Sequence, residues 1–430
     1  MFKGEAYRPY RLRYNPQFFI NMIWCIVGYM WLFLHRPFEV WPWLGALHIE
    51  RVYMLIVLTA WFAAANKQLL TNKVNIAVGF FAFAMLFSTL MSPYTNIFDN
   101  IAFQSWIRYL VFYILIMTSV KSERDLKIVV TGMVICFFIY MLHSYREFLN
   151  GRHGYAMSTM RMIGVDSTMG SPNSFGASIV IFFPMLIPLF KLIKNKWHVL
   201  FVISYCLLSL RCVQLTGSRS SFIALGLLLV CAFVLSKHRL KLFPVGVLSL
   251  PLLWILLPEN LKNRYRTIWD SSINASATAS AEGRLQGFWD GLANWQSSPI
   301  WGVGPDCHGM AIGNNFLSHF LYGQIPGELG TIGVVAFLLL LVSYVTNHLE
   351  IANCYKYMKK RGYGKECEYC YAVSIATLGS VALMLFLGLS GHNGYRFTWI
   401  WVAAFQAIAL SILKTKTTNI EQKERYANIT

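Results

Sequence analysis

His319 is the residue of this sequence whose type and setting best suit proton-transfer chemistry. It precedes Glu328 by nine residues and Gly330 by eleven, in a glycine-rich segment that runs from Ser318 to Gly333. A neutral imidazole in such a segment can accept a proton from an incoming hydroxyl group. Arginines near the imidazole would stabilise the negative charge that develops on a leaving phosphate. His319 is therefore the candidate general base, provided that the fold brings arginines to it.

The composition indicates an integral membrane protein. Of the 430 residues, 56% are apolar and only 13% are charged, which is far from a soluble composition. Stretches of about 20 apolar residues, long enough to cross a bilayer, recur along the chain. The predicted fold is an all-α polytopic membrane protein, built as a single bundle over residues 1–430. Twelve spans are predicted, near residues 18–35, 52–66, 74–91, 107–120, 126–145, 174–192, 199–217, 220–236, 241–258, 329–347, 371–389 and 397–413.

The distribution of lysine and arginine predicts the orientation of the bundle. With twelve spans, about 24 of the 37 basic residues fall on one side, and so do about 8 of the 19 acidic residues. Because basic residues accumulate on the cytoplasmic side of membrane proteins, both termini are predicted to be cytoplasmic. Most of the formal net charge of +18 then reflects membrane insertion, and nucleic acid is not expected as a partner.

The basic residues on the other side are almost all arginines, since Lys262 is the one lysine among them. A planar guanidinium group can bind a phosphate or a carboxylate through two parallel hydrogen bonds, so this set indicates an anionic ligand at the outer leaflet. The alternative is that each arginine pairs with lipid headgroups at the end of a span. The twelve outer arginines are Arg36, Arg51, Arg108, Arg146, Arg152, Arg161, Arg211, Arg219, Arg264, Arg266, Arg284 and Arg396.

Two predicted outer segments, residues 146–173 and residues 259–327, are too long to be turns. The second is predicted to contain a Ser/Ala-rich connector at 271–281 and then an amphipathic helix over residues 283–297, suited to the membrane interface. The residues on the shared face of this helix are Arg284, Phe288, Leu292 and Trp295. A second short helix is predicted to follow, because a spacing of i, i+4 and i+7 places three polar residues on one face. These three are Asn315, His319 and Tyr322.

The other chemically reactive residues argue against several classes of protein. No acidic residue is placed in the middle of a predicted span, which disfavours an ion- or proton-coupled transporter. The outer face carries neither an Asp-x-Asp pair nor a His/Cys cluster, so neither a metal site nor another cofactor is expected. Cys367 and Cys370 form a single CxxC pair in a predicted cytoplasmic loop, which is weak evidence for zinc. Cys307, on the outer side, has no predicted disulfide partner.

Four segments between residues 161 and 333 follow one another in a recognisable order. They are Arg161-x-x-Gly164 with Pro172-Asn173, the turn Leu215-Thr216-Gly217-Ser218-Arg219-Ser220, the run from Arg284 through Trp289 to Pro299-x-x-Gly302-x-Gly304, and His319 with Gly330-x-x-Gly333. In this order, and with twelve spans and a large outer loop, the chain resembles the O-antigen ligase and polymerase family of bacterial envelope glycosyltransferases. Each motif alone is weak, but the combination is fairly specific.

The resemblance implies a C-type glycosyltransferase architecture in the bacterial inner membrane. Members of that family take a glycan from an undecaprenyl-diphosphate carrier at the periplasmic face and transfer it to an acceptor without a metal. By resemblance, His319 is the base or acceptor-orienting residue, Arg219 and Arg284 bind the diphosphate, and Arg161 is a third candidate. The residues expected to support them are Asn315, Glu328 and Arg211.

One position departs from the family pattern. The family often has Asn, Ser or Gln directly after the histidine, whereas this chain has Phe320. Asn315, four residues before His319, is the candidate to take over that supporting role.

The acceptor is left open by the sequence. Ligation to lipid A core is preferred because the spacing after His319 fits that branch best, and the alternatives are polymerisation of a growing glycan and O-glycosylation of a protein. A flippase or transporter of the same lipid-linked glycan is the competing class, but it would need an anion site that both leaflets can reach. A non-catalytic assembly subunit is a third alternative.

Overall fold

The computed structural model describes residues 16–63, 67, 69–156, 159–166, 169–235, 254–255, 257–270, 275–313 and 318–427. Over these residues the chain is mostly α-helical, with one small antiparallel hairpin. The hairpin strands are β1 (Gly154–Ala156) and β2 (Thr159–Arg161). The helices are α1 (Pro16–His35), α2 (Pro37–Val40), α3 (Pro42–Ala46), α4 (Ile49–Ala63), α5 (Lys73–Met91), α6 (Ile101–Ser119), α7 (Glu123–Leu149), α8 (Pro172–Phe182), α9 (Leu186–Phe190), α10 (Lys196–Thr216), α11 (Arg219–Leu235), α12 (Glu259–Arg266), α13 (Ala275–Ser297), α14 (His308–Ala311), α15 (Leu321–Lys360), α16 (Gly364–Gly388) and α17 (Thr398–Ala427).

Eight segments of the described chain are long and apolar enough to cross a membrane, so the protein is an all-α polytopic membrane protein. The predicted number of twelve spans is not confirmed. The eight segments are Lys73–Met91, Ile101–Ser119, Glu123–Leu149, Pro172–Phe190, Lys196–Thr216, Leu321–Lys360, Gly364–Gly388 and Thr398–Tyr426.

The four other predicted spans have different outcomes. Helix α1 occupies the span predicted at 18–35 and has 20 residues. At the spans predicted at 52–66 and 220–236, α4 has 15 residues and α11 has 17, which is short for a straight crossing. Most of the span predicted at 241–258 lies outside the described residues.

Polar residues define where several of the membrane helices begin. Asn72 caps α5 by accepting a hydrogen bond from the backbone of Val74 (2.9 Å), and Asn100 caps α6 by accepting one from Phe103 (2.7 Å). Ser122 and Asp125 form a reciprocal capping box at the start of α7. These caps satisfy backbone N–H groups that would otherwise lack a partner at the membrane boundary, and so they determine where each span starts.

Ion pairs show which helix ends lie together. Glu350 of α15 accepts hydrogen bonds from Lys73 of α5 (3.1 Å) and Lys414 of α17 (2.6 Å). At the same end, Lys416 of α17 contacts Glu123 of α7, and Lys191 contacts Glu368 of α16. The lysine-rich segments assigned to one side from the sequence therefore meet at one end of the bundle, which we call the lysine end.

The opposite end of the bundle carries the hairpin and helices α12 to α14. In the segment predicted as an outer loop over residues 146–173, α7 continues to Leu149, the hairpin follows, and α8 begins at Pro172. In the second outer segment, the predicted amphipathic helix is confirmed as α13, which begins earlier than expected, at Ala275. Residues 275–281 are thus helical, and of the predicted connector 271–281 only residues 271–274 lie outside the described residues.

Helix α15 differs most from its prediction. A span was expected at 329–347, whereas the helix begins at Leu321 and contains Pro326 and a break at Gly330, whose φ of 65° is left-handed. The predicted outer segment 259–327 therefore overlaps the first turns of this helix. The prediction that Asn315, His319 and Tyr322 share a short helix was wrong for His319, which lies in non-helical backbone before α15. Asn315 lies outside the described residues.

Candidate active site

His319 lies just before α15, and its ring borders a polar recess between the helices. The side chain is exposed toward this recess, and its Nδ1 atom is 3.1 Å from Nδ1 of His392, which lies in the loop between α16 and α17. The ring is nevertheless sheltered by the surrounding protein. This desolvation, followed by the positive charge of Arg284, lowers the pKa of His319 below its ordinary value. The imidazole is therefore neutral at neutral pH, as a general base must be.

A close crossing of two helices positions His319 relative to Arg284. Helix α13 lies against the first turns of α15 through glycines on both sides, and a Cβ atom built on Gly291 would lie 2.4 Å from the backbone oxygen of Gly323. A Cβ on Gly327 would in turn lie 2.7 Å from the oxygen of Gly291. Backbones approach this closely only where side chains are absent. The spacing of these glycines thus determines the distance between the arginine on α13 and the histidine before α15.

This crossing gives a prediction with a matched control in the same helix. The Gly291→Ala substitution is expected to destabilise the protein by about 1–3 kcal/mol, because its methyl group meets backbone atoms that cannot move aside. Gly283→Ala in α13 meets nothing within 4 Å and is expected to be neutral or slightly stabilising. The measurement is the thermal unfolding of the detergent-solubilised protein. Equal unfolding temperatures for the two variants would contradict the close crossing.

Arg284 belongs to a group of arginines that act on each other electrostatically. Desolvation lowers the pKa of Arg284, and the positive charge of Arg219 lowers it further. The pKa of Arg264 is lowered by desolvation, then by Arg219, and to a smaller extent by Arg284. Within the part of the chain that the structure describes, no carboxylate forms an ion pair with Arg284. Concentrated positive charge of this kind attracts an anionic ligand.

The turn between α10 and α11 holds Arg219 and Arg264 in place. Gly217 ends α10 in the left-handed conformation (φ 58°), and its backbone oxygen accepts a hydrogen bond from Nε of Arg264 (2.6 Å). Arg219 begins α11 and donates from Nη1 to Oγ1 of Thr267 (3.0 Å). The Gly217-Ser218-Arg219 motif thus brings α11 and α12 together, and it also places Arg264, which the sequence analysis did not select as a site residue.

Arg161, the third candidate for diphosphate binding, is buried. It is 3% exposed, and its Nε and Nη2 atoms donate to the backbone oxygen of Thr216 (2.6 Å) and to Oδ1 of Asn173 (2.7 Å). Desolvation, with contributions from Arg264 and Arg219, lowers the pKa of Arg161 to about 9, so the group stays charged at neutral pH. We refer to Arg161, Arg219, Arg264 and Arg284 as the arginine cluster. Within it, Arg161 connects the hairpin to α8 and α10.

The polar recess has a volume of about 330 Å³. Arg396, in the loop before α17, is half-buried at the recess and donates from Nη1 to Oγ of Ser178 (3.1 Å). It was one of the twelve outer arginines, but no motif distinguished it from the others. The lining combines hydrogen-bond donors and acceptors of the kind that bind sugar hydroxyls: Asn173, Ser174, Asp306, Gln324, His392 and Arg396.

Glu328 is a buried carboxyl group that connects three segments around the recess. Its side chain is 1% exposed and accepts hydrogen bonds from the backbone of Asp306 (3.0 Å) and the hydroxyl of Tyr395 (2.6 Å) through Oε2. Its backbone oxygen accepts from Oγ of Ser88 in α5 (2.6 Å). Glu328 thus holds α15, the loop at Asp306 and the loop at Tyr395 together, and so fixes the positions of these segments around the recess.

The two glycine motifs of the sequence pack against each other. A Cβ on Gly302 would lie 2.4 Å from the backbone oxygen of Glu328, and one on Gly330 would lie 2.4 Å from that of Ile300. Four backbone hydrogen bonds join the segments 299–304 and 327–332: Val303 N to Gly327 O, Gly304 N to Glu328 O, Thr331 N to Pro299 O, and Ile332 N to Ile300 O. The segment with the Gly-x-Gly motif therefore supplies hydrogen-bond partners for the backbone groups of α15 around its break, and each motif depends on the other.

Two other residues, Arg211 and His308, do not line the recess. Arg211 is half-buried within α10, more than one turn before Gly217, and it is not among the described residues that line the recess. His308, an outer-loop histidine, is buried, and its Nδ1 lies 3.3 Å from Nδ2 of Asn294, which indicates a packed structural residue. The described residues contain no group of three or more His, Cys, Asp or Glu side chains able to hold a metal ion.

Comparison with known proteins adds one finding to this geometry. Residues 204–338 match the family model described as O-Antigen ligase. The matched range contains Arg219, Arg264, Arg284 and His319, whereas Arg161 and the loop with His392 lie outside it. No curated protein matches the chain.

Proposed function

We propose that this chain, whose residues 204–338 match the O-antigen ligase family model, transfers an oligo- or polysaccharide from an undecaprenyl-diphosphate carrier to an acceptor hydroxyl group. The family implies an enzyme of the glycosyltransferase or ligase type that uses a lipid-linked glycan and an acceptor in a membrane.

One observation carries the proposal: His319, which lines a polar recess, lies within electrostatic range of the positively charged arginine cluster. Arg284 acts electrostatically on His319, and Arg219 acts on Arg284. A base for a hydroxyl and a binding site for a diphosphate are the two groups that glycosyl transfer from a diphosphate carrier requires. His319 lines a recess whose other side chains can form hydrogen bonds, and this supports a sugar as the transferred group.

The proposed reaction is a single displacement at the anomeric carbon. A bond forms between the acceptor oxygen and this carbon, while the bond to the diphosphate oxygen breaks and its electron pair leaves with the diphosphate. The hydroxyl proton moves to Nε2 of His319. The guanidinium groups of Arg219 and Arg284 neutralise the charge that accumulates on the leaving group, and each such donor contributes about 3 to 4 kcal/mol of transition-state stabilisation.

The proposed location is the bacterial inner membrane, with the arginine cluster facing the periplasm and both termini in the cytoplasm. The separation of charges supports this orientation, because lysines gather at the lysine end and the arginine cluster lies at the other. A site at one end of the bundle suits a transferase acting on a donor already presented at the outer leaflet. It does not suit a flippase, whose anion site must be reached from both sides.

Lipid A core is the acceptor that we prefer, and the test is a deletion strain whose envelope glycans are separated on a gel. Loss of long chains from lipid A core supports the ligase. Shortened chains would indicate a polymerase, and a missing glycoprotein band would indicate protein O-glycosylation. Accumulation of the lipid-linked glycan on the cytoplasmic side, with no transfer in isolated membranes supplied with donor at the outer leaflet, would favour the flippase.

Transfer is expected to need no metal. The arginine cluster supplies the positive charge that a divalent cation would otherwise provide at the diphosphate. Glycan transfer by the purified protein should therefore be unchanged by EDTA, measured as product formed with and without the chelator. Loss of product formation that Mg²⁺ restores would contradict this expectation.

A further inference from the structure

His392 lies beside His319 in the recess, in a ring-nitrogen contact that selects the tautomer of a neutral histidine. The two Nδ1 atoms are 3.1 Å apart, and the ring centroids are 5.1 Å apart with an angle of 44° between the rings. Nitrogen atoms at this distance share one proton, since one must donate and the other must accept.

Only one of the two arrangements is compatible with His319 as the base. If His392 donates, Nδ1 of His319 is the acceptor and its Nε2 carries the proton, so the ring cannot take a proton from a hydroxyl group. If His319 donates from Nδ1, its Nε2 has a free lone pair and can act as the base. In the second arrangement the hydrogen bond also persists after proton transfer, because the imidazolium of His319 still donates from Nδ1 to a neutral His392.

We propose that His392 is the positioning residue for His319: it accepts a hydrogen bond from Nδ1–H of His319 and so presents Nε2 of His319 to the acceptor hydroxyl. This inference rests on the proposed function, and it concerns the state of the base within that site. His392 lies outside the residues that match the family model.

The surroundings keep His392 neutral, as a hydrogen-bond acceptor must be. Desolvation, then the positive charge that His319 carries once it is protonated, and the positive charge of Arg396 lower the pKa of His392 to about 4. A proton taken from the acceptor therefore stays on His319. The titratable and charged groups that line the recess with the pair are Tyr109, Asp306, Tyr395 and Arg396. Arg284 and His308 do not line it but lie within electrostatic range of His319.

The loop that carries His392 is held firmly enough to orient its ring. The next residue, Asn393, is buried and donates from Nδ2 to the backbone oxygen of Met384 in α16 (2.8 Å). Its own backbone oxygen accepts from Nε1 of Trp399 in α17 (2.8 Å). The backbone N–H of Gly394 donates to Oε1 of Gln324 in α15 (3.2 Å). Three helices thus fix the loop, including the one that follows His319.

The test compares two replacements of similar size at His392. In His392→Asn, Oδ1 lies near the former position of Nδ1 and can accept the hydrogen bond, whereas His392→Leu removes the acceptor. Full-length protein in lipid nanodiscs, labelled with ¹⁵N-histidine, reports the tautomer through the imidazole nitrogen shifts, with the His319 signals identified as those lost in His319→Ala. Transfer is measured in the deletion strain carrying each variant, and His153→Leu is the matched control away from the recess.

We expect the Nδ1–H tautomer of His319 in the wild type and in His392→Asn, and the Nε2–H tautomer in His392→Leu. Transfer should fall by about 10- to 100-fold in the leucine variant and be largely retained in the asparagine variant. An Nε2–H tautomer in the wild type, or an unchanged tautomer in His392→Leu, would overturn the inference whatever the transfer result. Normal transfer by His319→Ala would instead overturn the proposed function, so the two failures are distinguishable.

Discussion

Replacement of His319 by alanine is expected to abolish glycan transfer while the protein still folds and reaches the membrane. A general base contributes about 10²- to 10⁴-fold to the rate, so little product should remain. The ring is exposed toward the recess and its side chain hydrogen-bonds to His392, so loss of the ring removes little packing. Because the pKa of His319 is lowered, wild-type transfer should persist below the ordinary histidine pKa and disappear as the ring becomes protonated.

The measurement is transfer in a deletion strain that carries the variant, with membrane levels determined in parallel. His153→Ala is the matched control, because this outer histidine lies beside the hairpin, where its ring contacts Tyr155, and does not line the recess. Near-normal transfer by His319→Ala at normal membrane levels would remove His319 from the mechanism.

Arg284→Lys is expected to fail almost as badly as Arg284→Ala. The loss should be about 10²- to 10³-fold for either variant if the diphosphate needs the planar pair of donors and not only a positive charge. Arg284 suits such a test because desolvation and the positive charge of Arg219 both disfavour its charged form, so an anionic ligand would stabilise it. A lysine at this position would also be more compact and more strongly hydrated than the guanidinium group it replaces.

Rates of transfer at saturating donor, measured with purified protein, provide the comparison. Arg266→Lys is the matched control, since Arg266 lies in the same outer region, and its contact is with Asn263 one turn earlier in α12. Full activity of Arg284→Lys would refute bidentate binding. A loss of the same size in Arg266→Lys would show that the region tolerates no substitution of this kind.

The sequence was most informative where chemistry is local. The long apolar stretches predicted a polytopic helical membrane protein, because a bilayer requires backbone groups to be satisfied within each span. The spacing from His319 to Gly330 and the Pro299-x-x-Gly302-x-Gly304 run carried the family resemblance, and residues 204–338 match the O-antigen ligase family model. Helix α13 was also predictable, since an amphipathic face depends only on residues three and four apart.

The sequence was less informative where a helix depends on its neighbours. A hydropathy pattern starts a span at Leu329, yet α15 begins at Leu321, because the Gly-x-Gly loop supplies hydrogen bonds at the break near Gly330. His319 was placed in a helix by its spacing from Asn315, whereas its backbone is not helical. Periodicity does not reveal a helix that is interrupted and then completed by another segment.

By itself, then, the sequence indicated the class of protein, the family resemblance and a candidate base, because these depend on composition and on residues close together in the chain. Only the tertiary structure decided which arginines meet. It buried Arg161 between the hairpin and α8, and it joined Arg264 to Arg219 through the turn at Gly217. It also brought His392 to His319 across 73 residues of chain. Such pairings arise from the packing of helices distant in sequence, and a single sequence carries no local signal for them.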